Sequence, residues 1–288
     1  MRLSILIPTY NRKEYLVEAL ASALRELPSE AEIIVSDNNS SDGTREFLAT
    51  HPDKNKFKVL IQEKNLGMIG NWNALMAGAK GNCIKILCDD DILLPGSLQR
   101  ELALLEKNNS LALVASEIIE FESVVPDVAE GSVCEPRIFT SQQAQQRMLL
   151  KENIFGSPSA VMIRKKMHSQ FSSTFLYAAD WNAWIEILRN GSGALILIPG
   201  CAFRLHAENL TKKYLESGED LLEVLLLRKK IILWLRSNKQ SNIFLEAFYS
   251  LVVPYRLGRR FLRLALQGRP VAACKLTKHI FLNLQRNR

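Results

Sequence analysis

What this chain lacks already narrows what it can be. Five cysteines occur in 288 residues, at positions 83, 88, 134, 201 and 274, odd in number and without CxxC or Cys/His zinc spacing. That excludes a disulfide framework and a zinc ribbon, and reduced thiols in a cytosolic compartment are expected. No apolar stretch approaches the roughly 18 residues that a membrane-spanning helix requires. The apolar start, Leu3–Ile7, is interrupted by Pro8, Asn11, Arg12 and Lys13 too soon for a signal-peptide core, so secretion is not expected. Gly67–Gly70 fits neither a P-loop nor a GxGxxG fingerprint, and no Ser/His/Asp or Cys/His order suggests covalent catalysis.

What is present has the balance of a soluble globular protein, 47% hydrophobic and 23% charged, with length for one large domain plus an appendage. The net charge of +7 hides an asymmetry. Residues 221–288 carry 14 Lys+Arg against Glu223 and Glu246, a net of +12, which leaves 23 bases and 28 acids before them, a net of −5. An anionic partner would therefore meet the tail. Nucleic acid is not expected, because the body is acidic and no RNA- or DNA-binding motif occurs.

Short apolar runs predict strands over Leu3–Pro8, Glu32–Ser36, Phe57–Gln62 and Cys83–Cys88. Apolar residues at three- and four-residue spacing predict helices over Lys13–Leu27 and Ile69–Ala79, and Thr44–Ala49 reads as a further short one. Strands alternating with helices imply an α/β fold, a mostly parallel sheet flanked by helices, with ligands beyond the carboxyl ends of the strands. Thr9-Tyr10-Asn11, Asp37-Asn38-Asn39 and Asp89-Asp90-Asp91 directly follow three of those strands, on one rim. The pattern changes after about residue 115. Residues 122–137 read as loop, Ser141–Leu150 as helix, and Ala160–Arg164 as strand. Asp180–Arg189 reads as a helix with Asp180 as N-cap, and Ala194–Ile198 and Ala202–His206 as strands broken by Pro199-Gly200. From Leu221 onward the chain reads as helical, with breaks near Ser237–Ser241, Pro254 and Gly268–Pro270.

Three adjacent carboxylates repel one another, so a folded site must neutralise them, and a hard cation such as Mg2+ or Mn2+ does so with oxygen ligands. A solvated acidic turn is the competing reading. Asp37–Thr44 can hydrogen-bond a base and ribose, or form Asx turns that cap the next helix.

Ser4–Arg12 followed by a helix resembles the opening of family 2 glycosyltransferases, as does Ile34–Thr44. Asn65-Leu66-Gly67 with Gly70-Asn71-Trp72-Asn73 resembles the family's glycine/asparagine segment, and Cys88-Asp89-Asp90-Asp91 its DXD region. The resemblance covers about residues 3–211, most closely 3–100. It implies a GT-A-like fold, a nucleotide-diphosphate sugar donor, Mg2+ or Mn2+, and transfer with inversion to a glycan or lipid-linked acceptor of the cell envelope. Residues 1–215 would form the catalytic domain, with a nucleotide-binding half over 1–100 and an acceptor half over 101–215. Residues 216–288 would be a helical basic appendage.

Carried over, Pro8, Thr9, Tyr10, Asn11, Asp37, Asn38 and Asn71 would line the nucleotide-sugar site. Asp89 would face the ribose, and Asp90 would lead the metal ligands with Asp91. Many members carry Asp where this chain has Cys88, which leaves the division of duties within the triplet open. Inverting transfer also needs a base for the acceptor hydroxyl and positive charge for the leaving diphosphate. Asp180, ahead of Trp181 and Trp184, resembles the family's catalytic acid position. Its bland alternative is an N-cap, and the tryptophans pack in a core or stack on a sugar. His206 resembles a segment that closes over the diphosphate, as a metal ligand or donor, and Arg204 would add charge to the nucleotide-sugar site.

In the tail, Phe244, Leu245, Phe248, Leu251, Val252 and Tyr255 recur at helical spacing, followed by Arg256, Arg259, Arg260 and Arg263. Such a segment either lies in an anionic membrane interface, making the protein peripheral on the inner face of the plasma membrane, or packs on the core. A nucleotidyltransferase and a silent nucleotide-sugar-binding scaffold are the competing functions. The former would need a basic phosphate loop that Thr9-Tyr10-Asn11-Arg12 does not supply.

Overall fold

The computed structural model describes residues 2–127, 135–167, 170–206 and 219–252, with the isolated positions 214, 255, 258, 259, 262 and 266. The first half of the chain alternates β1 (Leu3–Thr9), α1 (Lys13–Glu26), β2 (Glu32–Asp37), α2 (Thr44–Thr50), β3 (Phe57–Ile61), α3 (Gly67–Gly78) and β4 (Cys83–Ile86). These four strands pair in parallel in the order β3-β2-β1-β4, and Thr9 lies opposite Asp37. Every residue of β1, β2 and β4 is buried, as continuous apolar strands covered on both faces must be. On one face Leu16, Leu20 and Ala23 of α1 join Ile5, Ile7, Ile33 and Val35 in a single core. Burying each such side chain contributes roughly 1.5–3 kcal/mol, which fixes where the strands end.

The second half contains β5 (Ile92–Leu93), α4 (Ser97–Lys107), β6 (Leu111–Phe121), β7 (Arg137–Phe139), α5 (Ser141–Lys151), β8 (Val161–Arg164), α6 (Ala179–Ile187) and β9 (Ser192–Arg204). Here the sheet is mixed. β8 runs antiparallel to β4 and β6, β6 and β9 are parallel, and β5 and β7 are antiparallel to β9. Residues 122–127 are irregular, whereas 137 belongs to β7 and not to a loop.

Two expectations change. The helix α4 and the eleven-residue β6 that follows it were not expected, although Leu111–Ala115 is a fully buried apolar run. The two predicted strands around Pro199-Gly200 are one strand, β9. Its proline lies opposite Glu117, where the register shifts, so the ring causes a bulge instead of an ending. Gly200 is required at that crossing, since a Cβ there would stand 2.5 Å from the Ser116 Cβ.

Contacts divide the chain into two units, one of residues 1–144 and 155–205, the other of residues 145–154 and 206–288. The expected boundary near residue 215 lies outside the described residues. In the second unit α7 (Glu219–Ser237) is followed by α8 (Ile243–Ala247), which continues as a wider π-type turn over Phe248–Val252. Asn242 caps α8 by accepting the Leu245 amide at 3.0 Å. Arg228, almost fully buried, pairs with Glu152 at 2.7 Å and lies over the Phe248 ring. The expected break near 237–241 is present, and those at Pro254 and Gly268–Pro270 lie outside the described residues. Among the described residues, no helix is long and apolar enough to cross a membrane.

One ion pair in the first unit has no access to water. Lys85 Nζ of β4 donates to both carboxylate oxygens of Glu101 on α4, at 2.8 and 2.7 Å, and neither side chain has any exposure. Ser116 of β6 donates to the same carboxylate at 2.7 Å. Burial pushes the Glu101 pKa up, against the pull of Lys85. Removing one member of such a pair strands the other charge, at a cost of about 3–5 kcal/mol. Glu101→Leu and Lys85→Met should each lower urea stability by that order. The double variant should be less destabilised than the sum of the two, since no lone charge then remains.

Candidate functional site

The site is built where β1, β2 and β4 end. The Leu87 amide still donates to Leu6 O at 2.9 Å, so the ladder carries one residue past β4 before the chain turns. Cys88–Asp91 is that turn, closed by the Asp91 amide on Cys88 O at 3.1 Å. The Cys88 amide donates to Ser159 Oγ at 3.0 Å. The Arg204 amide at the end of β9 donates to Asp91 Oδ1 at 3.2 Å. The turn is therefore anchored by β1 and by the Ser159 hydroxyl, and the Asp91 carboxylate by an amide of β9.

Burial and proximity set their charge. Asp91 has no exposure and Asp89 little, and Asp90 is half-buried. Burial first, and the charge of Asp90 second, push Asp89 up to about 7, against the pull of Arg12. The same two causes hold Asp91 well above the usual carboxylate range, against hydrogen bonds from Ser159 and the Arg204 amide. Burial, then Asp91 and Asp90, also push the Cys88 thiol well up. Three ionised carboxylates cannot coexist here without added positive charge. Part of that charge comes from Arg12, whose Nη1 lies 2.7 Å from Asp90 Oδ2 and 3.3 Å from Asp89 Oδ1. Burial opposes the Arg12 charge, yet Asp89 and Asp90 hold its pKa raised.

The residues fit a divalent cation. Ligand atoms of Cys88, Asp90 and Asp91 all lie within 4.8 Å of one another, and Asp91 Oδ2 is buried without a hydrogen bond. An orphaned buried carboxylate oxygen costs about 1–3 kcal/mol or more, and a bound ion would satisfy it.

The other two clusters join this one. Asn11, with a left-handed φ of 52°, accepts the Ser41 amide on Oδ1 at 2.8 Å, and its own amide donates to Ser40 Oγ at 2.9 Å. Asp42 accepts the Lys13 amide at the start of α1 and both the amide and hydroxyl of Thr44 at the start of α2. One carboxylate thus serves two helix N-termini, which favours the capping reading for this end of Asp37–Thr44. Asp37 is fully buried and held by Arg45 Nε at 2.8 Å and the Ser40 amide at 2.9 Å. Thr9 and Pro8 are buried in β1, while Tyr10 is exposed at the rim. Asn71, buried on α3, donates to Ser36 O at 3.2 Å, and its Oδ1 is buried without a hydrogen bond.

Some expected site residues have structural work. Asn38 accepts the Leu66 amide at 2.8 Å and donates to Asn65 Oδ1 and Gly67 O, so its side chain clamps the entry to α3. Arg204 is nearly buried between the rings of Tyr15 and Phe121. Its guanidinium donates to Asp90 O at 3.1 Å and pairs with Glu18 at 3.0 Å. Asp180 is not the N-cap of α6. That position is Ala178, and Asp180 sits in the first helical turn with Oδ1 accepting the Trp181 amide at 2.6 Å. The helix ends at Ile187, two residues short of Arg189. Trp181 and Trp184 are both buried, which removes sugar stacking, and Trp184 Nε1 donates to Gly156 O at 3.1 Å. Through Gly156 and the following 3-10 turn at Pro158–Ala160, α6 is joined to Ser159 and so to Cys88. His206 belongs to the second unit, outside the unit that holds the triplet. Arg45 was not expected at all, and Arg12 only as a letter of a motif. Long-range partners of this kind leave no local signal beyond an arginine near a strand end.

Comparison with known proteins agrees with this arrangement. The β-1,3-glucosyltransferase WfgD of Escherichia coli, named for UDP-Glc and α-D-GlcNAc-diphosphoundecaprenol, is 27% identical over 217 residues, 75% of this chain and 80% of that protein. The GalNAc(5)-diNAcBac-PP-undecaprenol β-1,3-glucosyltransferase of Campylobacter jejuni is 36% identical over 195 residues, 66% of this chain and 61% of that protein. Among solved structures, S. aureus TarS 1-349 in complex with UDP-GlcNAc aligns with a TM-score of 0.65 at 20% identity, over 81% of this chain and 67% of that one. The mannosyltransferase PcManGT of Pyrobaculum calidifontis, in complex with GDP-Man and Mn2+, aligns at 0.58 and 16% identity, over 98% of this chain and 80% of that one. Identities this low speak for the fold, which is the mixed α/β sheet of GT-A enzymes. Residues 4–171, more than half of the chain, match the profile described as glycosyl transferase family 2, and the chain belongs to that family of glycosyltransferases.

Proposed function

We propose that this enzyme moves a sugar from a nucleotide-diphosphate sugar to a hydroxyl of a glycan or lipid-linked acceptor, with inversion, in cell-envelope glycan synthesis. The observation that carries this reading is the buried, positively bridged triplet Asp89-Asp90-Asp91 on the strand rim. The undecaprenol-linked acceptors in the names of two relatives support the acceptor class, and UDP-GlcNAc and GDP-Man complexes of two fold neighbours support the donor class.

Mg2+ or Mn2+ would be held by Asp90 and the free Oδ2 of Asp91, with Cys88 beside them, and would stabilise charge on the leaving diphosphate. Tyr10, exposed at the rim, offers a face to the base, and Asp37, aligned by Arg45, offers an acceptor to it. Pro8, Thr9, Asn11 and Asn71 shape the walls of that site, and Asp89 lies on the ribose side. Asn38 and Arg204 support it indirectly, by holding the entry to α3 and the Asp90-Asp91 backbone. Asp180 acts as the general base. It takes the acceptor hydroxyl proton while the acceptor oxygen bonds to the anomeric carbon, and the bond to the diphosphate breaks on the opposite face with its electron pair.

The tail supplies the proposed site of action. In the second unit Ile243, Phe244, Leu251, Tyr255, Leu262 and Leu266 are exposed, and residues 221–288 carry the net charge of +12. Apolar side chains and arginines on one segment suit an anionic membrane surface that presents a lipid-linked acceptor.

Three measurements test these assignments. Asp90→Ala should abolish Mn2+-dependent donor hydrolysis and transfer, whereas Asp180→Asn should retain donor affinity and lose transfer by about 10²–10⁴-fold; unchanged turnover in either variant removes that residue from its role. The full chain should sediment with anionic but not neutral liposomes, and remaining in the supernatant with both would refute the membrane assignment. Because Asp89 is raised to about 7 in the folded protein, its protonation favours folding between roughly pH 4, its unfolded value, and pH 7. In EDTA the protein should lose stability as pH rises through that window, more steeply than Asp89→Asn. Equal slopes in thermal melts would show that Asp89 titrates normally.

A further inference from the structure

Arg12 stands where a metal ion would. Its Nη1 lies 2.7 Å from Asp90 Oδ2, and Asp90 is one of the three residues whose ligand atoms fall within 4.8 Å of one another. We propose that Arg12 is a tethered competitor of the divalent cation, which holds Asp90 in the metal-free protein and must release it before an ion can bind. The inference rests on the metal site proposed above.

Three features carry it. The pair is sheltered, with side-chain exposures of 22% for Arg12 and 13% for Asp90, so water screens it far less than a surface pair. A single nitrogen, Nη1, meets two carboxylates at once, 2.7 Å from Asp90 and 3.3 Å from Asp89. The main chain beside it is pinned. The Arg12 carbonyl accepts the Leu16 amide at 2.9 Å, the Asn11 amide is held by Ser40, and the Lys13 amide is held by Asp42. Arg12 therefore vacates the site by a change of side-chain rotamer while the backbone stays in place. A divalent cation and a guanidinium held by the same carboxylate repel each other at that distance, so each weakens the other's hold.

The consequence is an unusual direction of effect. An arginine that merely props up the triplet would weaken metal binding when removed, whereas a competitor strengthens it. Mn2+ uptake by the full-length protein, read from the EPR signal of free Mn2+ without nucleotide or acceptor, separates the two. Arg12→Met should bind Mn2+ at least about tenfold more tightly than the natural chain, equivalent to about 1.4 kcal/mol. Arg12→Gln, which keeps a polar donor but not the charge, should also bind Mn2+ more tightly than the natural chain. Affinity unchanged or reduced in Arg12→Met would overturn the proposal. Should Arg12→Met lose its circular-dichroism signature of folding, Arg12→Gln decides alone, with tighter binding supporting competition and equal or weaker binding refuting it. If neither the natural chain nor a folded variant takes up Mn2+, the metal site itself fails and the competitor with it, an outcome distinct from a site that binds Mn2+ indifferently to Arg12.

Discussion

Three consecutive carboxylates cannot leave the end of a buried strand without either protons or cations to balance them. Asp91 is shut away from water and Asp89 nearly so, and each raises the other's cost through Asp90 between them. Much of the surrounding structure answers that demand. Arg12 reaches across from the β1–α1 loop, β9 contributes the Arg204 amide to Asp91, and the Ser159 hydroxyl of the Pro158–Ala160 turn holds the Cys88 amide. None of these groups is adjacent to the triplet in sequence. The rim exists because a parallel sheet brings the carboxyl ends of β1, β2 and β4 side by side.

Behind the rim, the positions of the carboxylates depend on how firmly β4 is held. The Lys85–Glu101 pair ties that strand to α4, and Ser116 ties the same carboxylate to β6. Gly200 lets β9 cross closely enough that its carbonyl accepts the Leu94 amide at 3.1 Å, just after β5. β5 in turn pairs with β9 through Ile92 and Leu93, directly after Asp91. The turn bearing the triplet is thus bounded on one side by the β1–β4 ladder and on the other by a two-residue strand. A segment held at both ends can tolerate repulsion that would open a free loop.

What could be read in the sequence follows from how local each signal is. β1 to β4 and the helices between them were legible because apolar runs and three- to four-residue spacing are written into short windows, and the polar clusters at their ends marked the rim. The strand β6 was not, because Leu111–Ala115 sits against charged residues on its far side and resembles any short apolar run. Pro199-Gly200 misled for a physical reason, since a bulge and a strand end use the same residues. Within the site, residue types were legible and tasks were not. Asn38 and Arg204 look like ligand-binding groups until their partners at Leu66, Glu18 and Asp90 are visible, and those partners lie far away in sequence. The tryptophans of α6 were ambiguous for a similar reason, because burial decides between stacking and packing and sequence spacing does not.

The same geometry sharpens the division of labour that Cys88 left open. Asp91 is the most buried of the three, with one oxygen accepting the Arg204 amide and the other without a hydrogen bond. Asp90 is the most accessible, and a positive group already rests on it. Asp89 shares Arg12 with Asp90, and its carboxyl is not among the atoms grouped with Cys88 and Asp91. In the proposed metal site, a buried ligand next to a guarded one would make ion uptake conditional on a single side-chain movement. Replacing the family's aspartate with Cys88 fits that economy, because an ionised fourth carboxylate would add repulsion that Arg12 alone does not balance, whereas a buried thiol with a raised pKa stays neutral.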